Sequence, residues 1–546
     1  MLSRYEKYIG KGRKHKQEQN ELHQRHNNEV GNSNTTYSLK HNLNSNIEMI
    51  KDKTGNSSDI VIRELTMDLN RPLKAAVIYI DGLVDNKIID EFVVETLLTD
   101  LTIQNSLLDQ NLPQLIENKV IALNGIKIIA AVNELFDSLA SGETIILIDG
   151  YAQALSGNTR GGEQRSIQEP QTQPVIRGPK DGFTESIQTN TSLIRRRIKS
   201  LNLWLEPMKI GEVTRTDVGI MYIKGIANDE IVEEVRQRLK RINTDSILES
   251  GYIEQLIEDQ TFTTFPTLYH TERPDVVAAN LLEGKIAILV DQTPFVLILP
   301  ALFIQFFQSP EDYYERFDIS TALRSLRVLI FLISLIAPST YIAATTFHQE
   351  MIPTQLAFAI AAQREAAPFP AFVEALIMEV TFEILREAGI RMPRAIGTTI
   401  SIVGALVIGQ AAVQAGLISP AMVIVVSITA IASFATPTIA IAISARLIRF
   451  ALMVIAATFG FYGIILGLII LAIHLCSIRS FGVPYMYPLA PSALDDLGDS
   501  LFRVPLWAAK RRPKFIAQHN VDRQGEHQKP EPPKKQRNEK GERNET

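Results

Sequence analysis

Residues 395–445 read AIGTTISIVGALVIGQAAVQAGLISPAMVIVVSITAIASFATPTIAIAISA, a stretch without one charged side chain. An α-helix needs about 20 apolar residues to cross a membrane, because it rises about 1.5 Å per residue and the hydrocarbon layer is roughly 30 Å thick. The run is 51 residues long, too long for a single span. Glycine and proline at 416–420 favour a turn, so the run predicts two spans joined by a hairpin.

Two further runs lack charged side chains and have the length of a span. They cover residues 328–347 and 450–478, and only His474 interrupts the second. Together with the longer run they predict four crossings. Most charge in the chain lies before Arg327 and after Arg503, which separates a membrane part from soluble parts on either side.

Two segments beside these runs are ambiguous. Residues 294–308 are apolar but short and contain Pro300, which suits a re-entrant or interfacial helix as well as a span. Residues 371–388 are helical in composition but carry four glutamates. This helix is expected either to lie on the membrane surface or to line a polar path.

The distribution of Lys and Arg gives conflicting evidence on topology. The first 53 residues lack the apolar core of a secretory signal, which predicts a cytoplasmic head. Residues 503–546 contain 12 Lys or Arg against 6 Asp or Glu, which predicts a cytoplasmic tail and therefore an even number of crossings. Arg446 and Arg449, between the last two predicted spans, would then lie on the far side, against the same rule.

An internal repeat organises the head. Residues 76–91 (AVIYIDGLVDNKIIDE) align without a gap to 219–234 (GIMYIKGIANDEIVEE) at an offset of 143, and residues 142–149 align to 284–291 at an offset of 142. Each copy has an apolar strand, a glycine turn, a helix with charge on one face, and a second apolar strand that ends in aspartate. The predicted fold class is an α/β soluble head of two related tandem subdomains, followed by an all-α polytopic membrane domain.

Composition marks the remaining boundaries. The N-terminal segment is too polar to bury a core, and Gly, Pro and Gln mark a linker between the two copies. The predicted domains are a disordered polar arm at 1–59, subdomains at 60–155 and 183–292, a linker at 156–182, a re-entrant or interfacial segment at 293–325, a membrane helix bundle at 326–480 and a basic cytoplasmic tail at 481–546.

The sequence contains no recognisable constellation of catalytic residues. Neither GxxxxGK[ST] nor GxGxxG follows a strand, HExxH is absent, and the single cysteine, Cys476, builds neither a disulfide framework nor a cysteine metal site. Asp149 and Asp291 end equivalent strands, where aspartate is most simply a turn residue. The chain is therefore predicted not to be an enzyme and to use no cofactor, metal or nucleic acid.

The glutamates of 371–388 are the main candidates for function. On a helix Glu379, Glu383 and Glu387 share one face, because they are four residues apart. Carboxylates near a membrane attract cations, so Glu374, Glu379 and Glu383 are candidates for a pore or ion path. The alternative is an amphipathic helix that lies on the membrane surface.

Two other groups are candidates for contacts between helices and between subunits. Arg195, Arg196 and Arg197 form either a solvated helix face or a contact with acidic residues of another subunit. A strip of small side chains lets a second helix approach closely, or lines a pore. The strip consists of Gly397, Ser401, Ala405 and Gly409.

Five separated blocks of sequence carry a resemblance to a known family. They are GPKDGFTE at 178–185 running into NTSLIRRRI at 190–198, TERPD at 271–275, FQSPEDYY at 307–314, MEVTFEILREA at 378–388, and RVPLW at 503–507. These blocks resemble the A subunits of bacterial spore germinant receptors of the GerA and GerK type. The resemblance extends from about residue 60 to residue 515.

The resemblance implies a set of partners and a mechanism. Such subunits lie in the inner membrane of the spore, with the head on the core side, in contact with membrane lipid. They work with a transporter-like B subunit that binds the nutrient and with a lipoprotein C subunit. The resemblance further implies a homo-oligomer that forms an ion-conducting or signal-transmitting complex and triggers germination.

Two other hypotheses compete with this one. A non-conducting membrane scaffold for the nutrient-binding subunit has the same partners but no ion flux of its own. A secondary transporter typically has inverted repeats among its membrane helices, whereas the repeat in this chain lies in the head.

Overall fold

The computed structural model describes residues 38–67, 73–95, 126–161, 168–365, 367–391, 409–500, 502–517, 520–525 and 528–531. The chain divides into two compact units. The first comprises Met1–Arg165 and Thr191–Glu206, and the second comprises Ser166–Asn190 and Pro207–Thr546.

The first unit is built on a five-stranded sheet of order β1-β2-β4-β5-β3, in which each neighbouring pair is antiparallel. Strand β4 is buried along its whole length because apolar residues of helices cover both faces of the sheet. The strands are β1 (Ile60–Met67), β2 (Leu73–Ile80), β3 (Lys127–Ile129), β4 (Thr144–Ile148) and β5 (Ala154–Gly157). The helices are α1 (Leu43–Lys53), α2 (Asn86–Ile89), which continues as a π-helical turn at Asp90–Val94, and α3 (Val132–Ala140).

Helix α1 lies within the segment that composition predicts to be disordered. Its Leu43, Ile47 and Ile50 form one apolar stripe that packs on the sheet. The side chain of Asn42 accepts a hydrogen bond from the backbone N–H of Ser45 and caps the helix. The prediction of disorder was therefore wrong for residues 38–59, because a single amphipathic helix within polar sequence is enough to anchor the segment. Residues 1–37 lie outside the described residues.

The second sheet repeats the order of the first, as β6-β7-β9-β10-β8. Its strands are β6 (Leu203–Ile210), β7 (Thr216–Ile223), β8 (Tyr269–Thr271), β9 (Ile286–Val290) and β10 (Val296–Leu299). The helices between 187 and 282 are α4 (Ile187–Arg197), α5 (Asp229–Arg241), α6 (Ser250–Ile257) and α7 (Pro274–Leu282). The strands and the helix pair α3 and α7 keep the offsets of 143 and 142 found in sequence, so the two five-stranded sheets follow the internal repeat.

The apolar segment at 294–308 belongs to this sheet and to the turn after it. Strand β10 is buried and pairs with β9 on one side and β8 on the other, and Phe303–Phe307 forms a short 3-10 helix. The re-entrant or interfacial helix proposed for this segment is therefore wrong. A short apolar run with a proline has the same appearance whether it forms a buried strand or part of a helix.

From Glu311 to Ser477 the described chain is mainly helical. Two of its described helices, α9 and α13, are long and apolar enough to cross a membrane. The elements are α8 (Glu311–Tyr314), α9 (Phe317–Thr346), α10 (Thr354–Arg364), α11 (Ala371–Arg391), a helical piece at 409–414, α12 (Pro420–Phe434) and α13 (Ile439–Ser477).

Helix α13 is not one straight rod, because Gly460 has a non-helical backbone with φ of 60°. A Cβ atom at Gly463 would lie 2.7 Å from Ile455 Cγ2, and one at Gly467 would lie 2.7 Å from Leu452 Cδ2. Residues 8 and 15 positions apart in a straight helix are about 12 and 22 Å apart, so the two halves of α13 fold back on each other. The predicted single span at 450–478 was therefore wrong, and the reversal lies inside an apolar run where hydropathy gives no sign of it.

The chain after α13 returns to the second sheet. Ser480 donates a hydrogen bond to the carbonyl of Thr267 over 2.7 Å, and a two-stranded hairpin forms from β11 (Arg479–Ser480) and β12 (Val483–Pro484). Arg512 Nε donates to the carbonyl of Leu282 over 2.7 Å. The start of α9 and the end of α13 therefore share one end of the helix bundle, here called the head end. The opposite end, where Gly460 adjoins His348, is called the far end.

Candidate functional site

Helix α11 brings the predicted glutamates into the interior of the bundle. It packs beside α9, α12 and α13. Glu374 is fully buried and Glu379 is 4% exposed, whereas Glu383 is 38% exposed at its side chain. The buried carboxylates face protein, which does not match an amphipathic helix with its acidic face in water.

Glu379 forms a buried ion pair with an arginine of α13. Arg449 Nη1 lies 2.6 Å from Glu379 Oε2, and Arg449 is 2% exposed. Arg449 Nε and Nη2 and Glu379 Oε1 are buried and have no hydrogen-bond partner among the described residues. A buried charge pair held by one hydrogen bond is strongly coupled, but its remaining polar atoms carry a desolvation cost.

Glu383 lies one helical turn after Glu379 and contacts two arginines. Arg446 Nη1 lies 2.6 Å from Glu383 Oε1, and Arg386 of the same helix also donates to this oxygen. An even number of crossings would have placed Arg446 and Arg449 on the far side of the membrane, in conflict with the usual distribution of basic residues. They lie instead in the first half of α13 with their guanidinium groups on the carboxylates of α11, so they give no evidence on orientation.

Glu374 holds the turn at the far end of the bundle. Its Oε2 accepts hydrogen bonds from the backbone N–H and the hydroxyl of Ser419, at 2.9 and 2.8 Å. Ser419 precedes the first residue of α12, so the carboxylate also lies at the positive end of that helix. Arg364 Nε is 3.7 Å from the other oxygen. Glu387 pairs with Arg391, so each glutamate of α11 lies within 4 Å of an arginine.

The strip of small residues is described only at one end. Gly409 lies against α12, where an added Cβ would be 3.6 Å from Val423 Cγ1. Gly397, Ser401 and Ala405 lie outside the described residues, so the small-residue strip stays a prediction.

Arg195, Arg196 and Arg197 belong to α4, and Arg195 forms an ion pair within the first unit. Arg195 Nε and Nη2 lie 2.6 and 2.9 Å from the carboxylate of Asp59, and both side chains are buried. Arg196 donates to the carbonyl of Gly161. Arg195 is therefore not presented to another subunit in this structure, and the proposed subunit contact remains for Arg196 and Arg197.

A second group of buried charges, which sequence reasoning missed, lies at the head end. Arg327 Nη1 is 2.7 and 2.8 Å from the two oxygens of Asp312, and Arg324 Nε is 3.2 Å from the same carboxylate. Arg324 also donates to Asp499 and to the carbonyl of Ser500. Arg503 Nε donates to the Asp312 carbonyl over 3.1 Å.

Two of the sequence blocks contained the signal for this group. Asp312 belongs to FQSPEDYY and Arg503 to RVPLW, and the structure brings the two blocks together. Tyr314 of the first block also donates to Asp275 of TERPD over 2.6 Å, and Arg273 donates to the carbonyl of Pro179 over 2.9 Å. Four of the five blocks therefore meet where the second sheet joins α9.

The chain therefore combines a duplicated α/β fold with an apolar helix bundle that contains buried charge pairs. The family model described as Bacillus/Clostridium GerA spore germination protein matches residues 48–515. The chain belongs to the GerA family of spore germination proteins.

Individual relatives agree with this assignment. Spore germination protein KA of Bacillus subtilis (strain 168) is 61% identical over 490 residues, which are 90% of this chain and 89% of the relative. Spore germination protein GerLA of Bacillus cereus is 41% identical over 478 residues, 88% of this chain and 96% of the relative. The crystal structure of the N-terminal domain of the A subunit of the Bacillus megaterium spore germinant receptor GerK3 is 52% identical in sequence. It covers 50% of this chain and 100% of that one, with a TM-score of 0.41. The predicted resemblance to germinant receptor A subunits is confirmed.

Proposed function

We propose that this chain is the A subunit of a nutrient-responsive germinant receptor and forms an ion-conducting or signal-transmitting complex in the spore inner membrane. The observation that carries the proposal is the pairing of Glu379 with Arg449 and of Glu383 with Arg446 inside an apolar bundle. Charges are expensive to bury in hydrocarbon, and where they occur they usually mark ion paths or moving parts. The pairs join α11 to α13, so breaking them lets one helix move relative to the other.

In this proposal the bundle crosses the membrane six times, with head and tail on the cytoplasmic side. Support comes from contacts at both ends of the bundle. Thr438, just before α13, donates to the carbonyl of Phe306 at the head end, and His474 near its end lies 2.9 Å from Thr263 Oγ1. At the far end, Tyr341 of α9 lies 3.4 Å from Ser419 Oγ. The passes among the described residues are α9, α11, α12 and the two halves of α13, and the further pass is the span that hydropathy predicts in the uncharged run before Gly416.

The proposed partners follow from the family. A transporter-like B subunit binds the nutrient, a lipoprotein C subunit completes the receptor, and copies of the A subunit associate with one another. The charge pairs then act as a lock: in the closed state each carboxylate of α11 is neutralised by an arginine, and nutrient binding frees the carboxylates to attract cations.

A non-conducting scaffold is the second candidate, and one observation favours it. The group formed by Glu379, Glu383, Arg386, Arg446 and Arg449 has two negative and three positive groups, so as it stands it repels cations. A scaffold keeps these pairs closed at all times and uses them only to hold the bundle together.

Flux measurements on the complex in liposomes separate the two candidates. The A, B and C subunits are reconstituted together, nutrient is added, and potassium release is recorded for the wild type and for Glu379→Gln with Glu383→Gln. Glu387→Gln is the matched control, because it removes a carboxylate from the same helix but from an exposed pair with Arg391. We expect release from the wild type and the control, and altered cation selectivity or threshold in the double variant. A wild-type complex that binds nutrient but releases no ion supports the scaffold.

A further inference from the structure

A cavity of about 280 Å³ lies at the head end of the bundle, between the second sheet and the first turns of α13. Its apolar wall consists of Ile439, Ala440 and Ile443 of α13 together with Phe295 and Phe306. The three α13 residues follow a spacing that places them on one face of the helix. The cavity therefore reaches from the α/β part of the second unit to the bundle.

The polar part of the lining carries no full charge. Thr172, Gln173 and His270 supply it, and none of the eleven lining residues is Lys, Arg, Asp or Glu. Burial lowers the pKa of His270, so its ring is neutral at neutral pH. The Thr172 hydroxyl and the Gln173 side-chain oxygen are bonded to Glu272 and Thr271, which fixes their positions.

The apolar wall continues onto the outside of the bundle. Ile439 is 58% exposed and Ile443 is 45% exposed although both line the cavity, and Leu447, one turn further along α13, is 56% exposed. Apolar side chains on the outer face of a membrane helix meet acyl chains. The mouth of the cavity therefore opens where the lipid-facing side of α13 begins, beside the polar surface of the sheet.

We propose that this cavity binds one membrane lipid, with part of an acyl chain against Ile439, Ile443 and Phe306. The ester groups of the headgroup region lie against Thr172 and His270. Basic pockets select anionic headgroups, and this one has no basic residue, so it does not distinguish them. The inference rests on the proposed membrane location. A lipid in this place joins the second sheet to α13 beside the hydrogen bond from Thr438 to the Phe306 carbonyl, which is 2.7 Å long.

Native mass spectrometry of the full chain in detergent tests the proposal, with phosphatidylethanolamine as the probe. Ile443→Trp places an indole ring in the lining and narrows the cavity, and Leu447→Trp adds the same ring one turn away, outside the lining. We expect one lipid retained by the wild type and by the control. Retention by Ile443→Trp is expected to be about tenfold lower, because losing about two buried methylene contacts has that effect on affinity. Phosphatidylglycerol with the same chains should be retained equally well.

A second filling variant keeps the result interpretable if Ile443→Trp folds poorly. Ile439 also lines the cavity but is more exposed than Ile443. We expect Ile439→Trp to lose the lipid while keeping the melting temperature of the wild type in lipid-free detergent. Equal retention by both filling variants and the wild type overturns the site, as does no retention by the wild type. A strong preference for phosphatidylglycerol contradicts the expected absence of headgroup selection. If a photoreactive residue at position 443 labels a partner subunit and no lipid, the cavity binds a protein segment and the proposed lipid is wrong. Carbonate extraction beforehand separates these results from failure of the membrane location, since a chain released without detergent is not embedded.

Discussion

The two groups of buried charge in the second unit are built differently. At the head end, Arg324 makes hydrogen bonds to Asp312, Asp499 and Ser500, and Asp312 also accepts from Arg327. In the bundle, Arg449 makes one hydrogen bond, to Glu379, and its other two nitrogens have no partner among the described residues. Arg324 is held from several directions and leaves only Nη2 without a partner among the described residues, whereas Arg449 depends on a single contact.

This difference indicates two roles. A network with many partners keeps one geometry, because no single rearrangement satisfies all its members equally well. It suits the joint where the sheet, α9 and the tail meet. A pair with unsatisfied atoms gains from any new partner, such as water or an ion that enters the bundle. Under the proposed function, it suits a part that moves when the complex responds to nutrient.

The largest effect is expected from Asp312→Asn at the head end. The change leaves Arg324 and Arg327 without the carboxylate that they share, and removing one partner of a buried pair costs about 3–5 kcal/mol. We expect loss of the folded chain or a large fall in melting temperature in detergent.

The control for Asp312→Asn is Asp318→Asn. Asp318 pairs with Arg316 at the surface, where solvent screening leaves such a pair little effect on stability. A similar small shift for both variants would mean that the head-end network is not a structural anchor, and the contrast with the bundle would fail.

The next largest effect is expected at the pair of Glu379 and Arg449, where two variants separate its role in stability from its role in function. Glu379→Gln alone leaves Arg449 buried without its carboxylate and is expected to destabilise the chain by about 3 kcal/mol. The double variant Glu379→Leu with Arg449→Met replaces the pair by apolar groups of similar length and is expected to restore most of the stability. Melting temperatures measure the first expectation, and nutrient-triggered potassium release measures whether the restored chain still responds. Full response from the double variant would show that the pair is not part of the mechanism.

The sequence predicts the parts of this arrangement that depend on local interactions, and it does not predict those that depend on residues far apart in the chain. The duplication was predictable because the repeat preserves apolar strands and glycine turns at a fixed offset, and both are local signals. The pairing of Glu379 with Arg449 was not, because the residues are 70 positions apart and each reads locally as a flank of a membrane segment. The same holds for Asp312 and Arg503, which the fold joins across 191 positions.

Reversals inside apolar runs were the other failure of prediction. Hydropathy predicts how much chain enters the bundle, but it does not predict where the chain turns, since both arms of a hairpin are equally apolar. Glycine alone is a weak sign of a turn, because Gly460, Gly463 and Gly467 lie close together in the sequence and only Gly460 has a positive φ.

A variant at that reversal tests whether the far end of the bundle is as rigid as the head end. Gly460→Ala puts a side chain on a residue with positive φ, and such a strained backbone costs about 1–3 kcal/mol. The added Cβ would also lie 2.8 Å from His348 Cε1. Gly482→Ala is the control, because its φ is also positive, at 80°, but nothing lies within 4 Å of the added atom among the described residues. We expect a lower melting temperature for Gly460→Ala than for the control. Equal values would indicate that the far end yields to the new contact, so that flexibility is not confined to the charge pairs.

The smallest expected effect concerns Glu254 of α6, a largely buried carboxylate that lies near two other glutamates, in contrast to the arginine-paired carboxylates above. Burial, together with the nearby Glu258 and Glu249, raises the pKa of Glu254 to about 7. The folded chain therefore holds a proton on Glu254 between about pH 4.5 and 7 that the unfolded chain releases, so this group lowers stability as pH rises through that window.

The expected loss by pH 8 is about 1–3 kcal/mol, and Glu254→Gln should remove it, with a gain over the wild type at pH 8 and little difference at pH 4.5. Melting temperatures at the two pH values measure this, and Glu233→Gln on the exposed face of α5 controls for the loss of a surface carboxylate. If His270, whose Nδ1 is 3.9 Å from Glu254, acted as its cation, the gain would be absent at pH 8. The carboxylate would then resemble the paired glutamates of the bundle rather than differ from them.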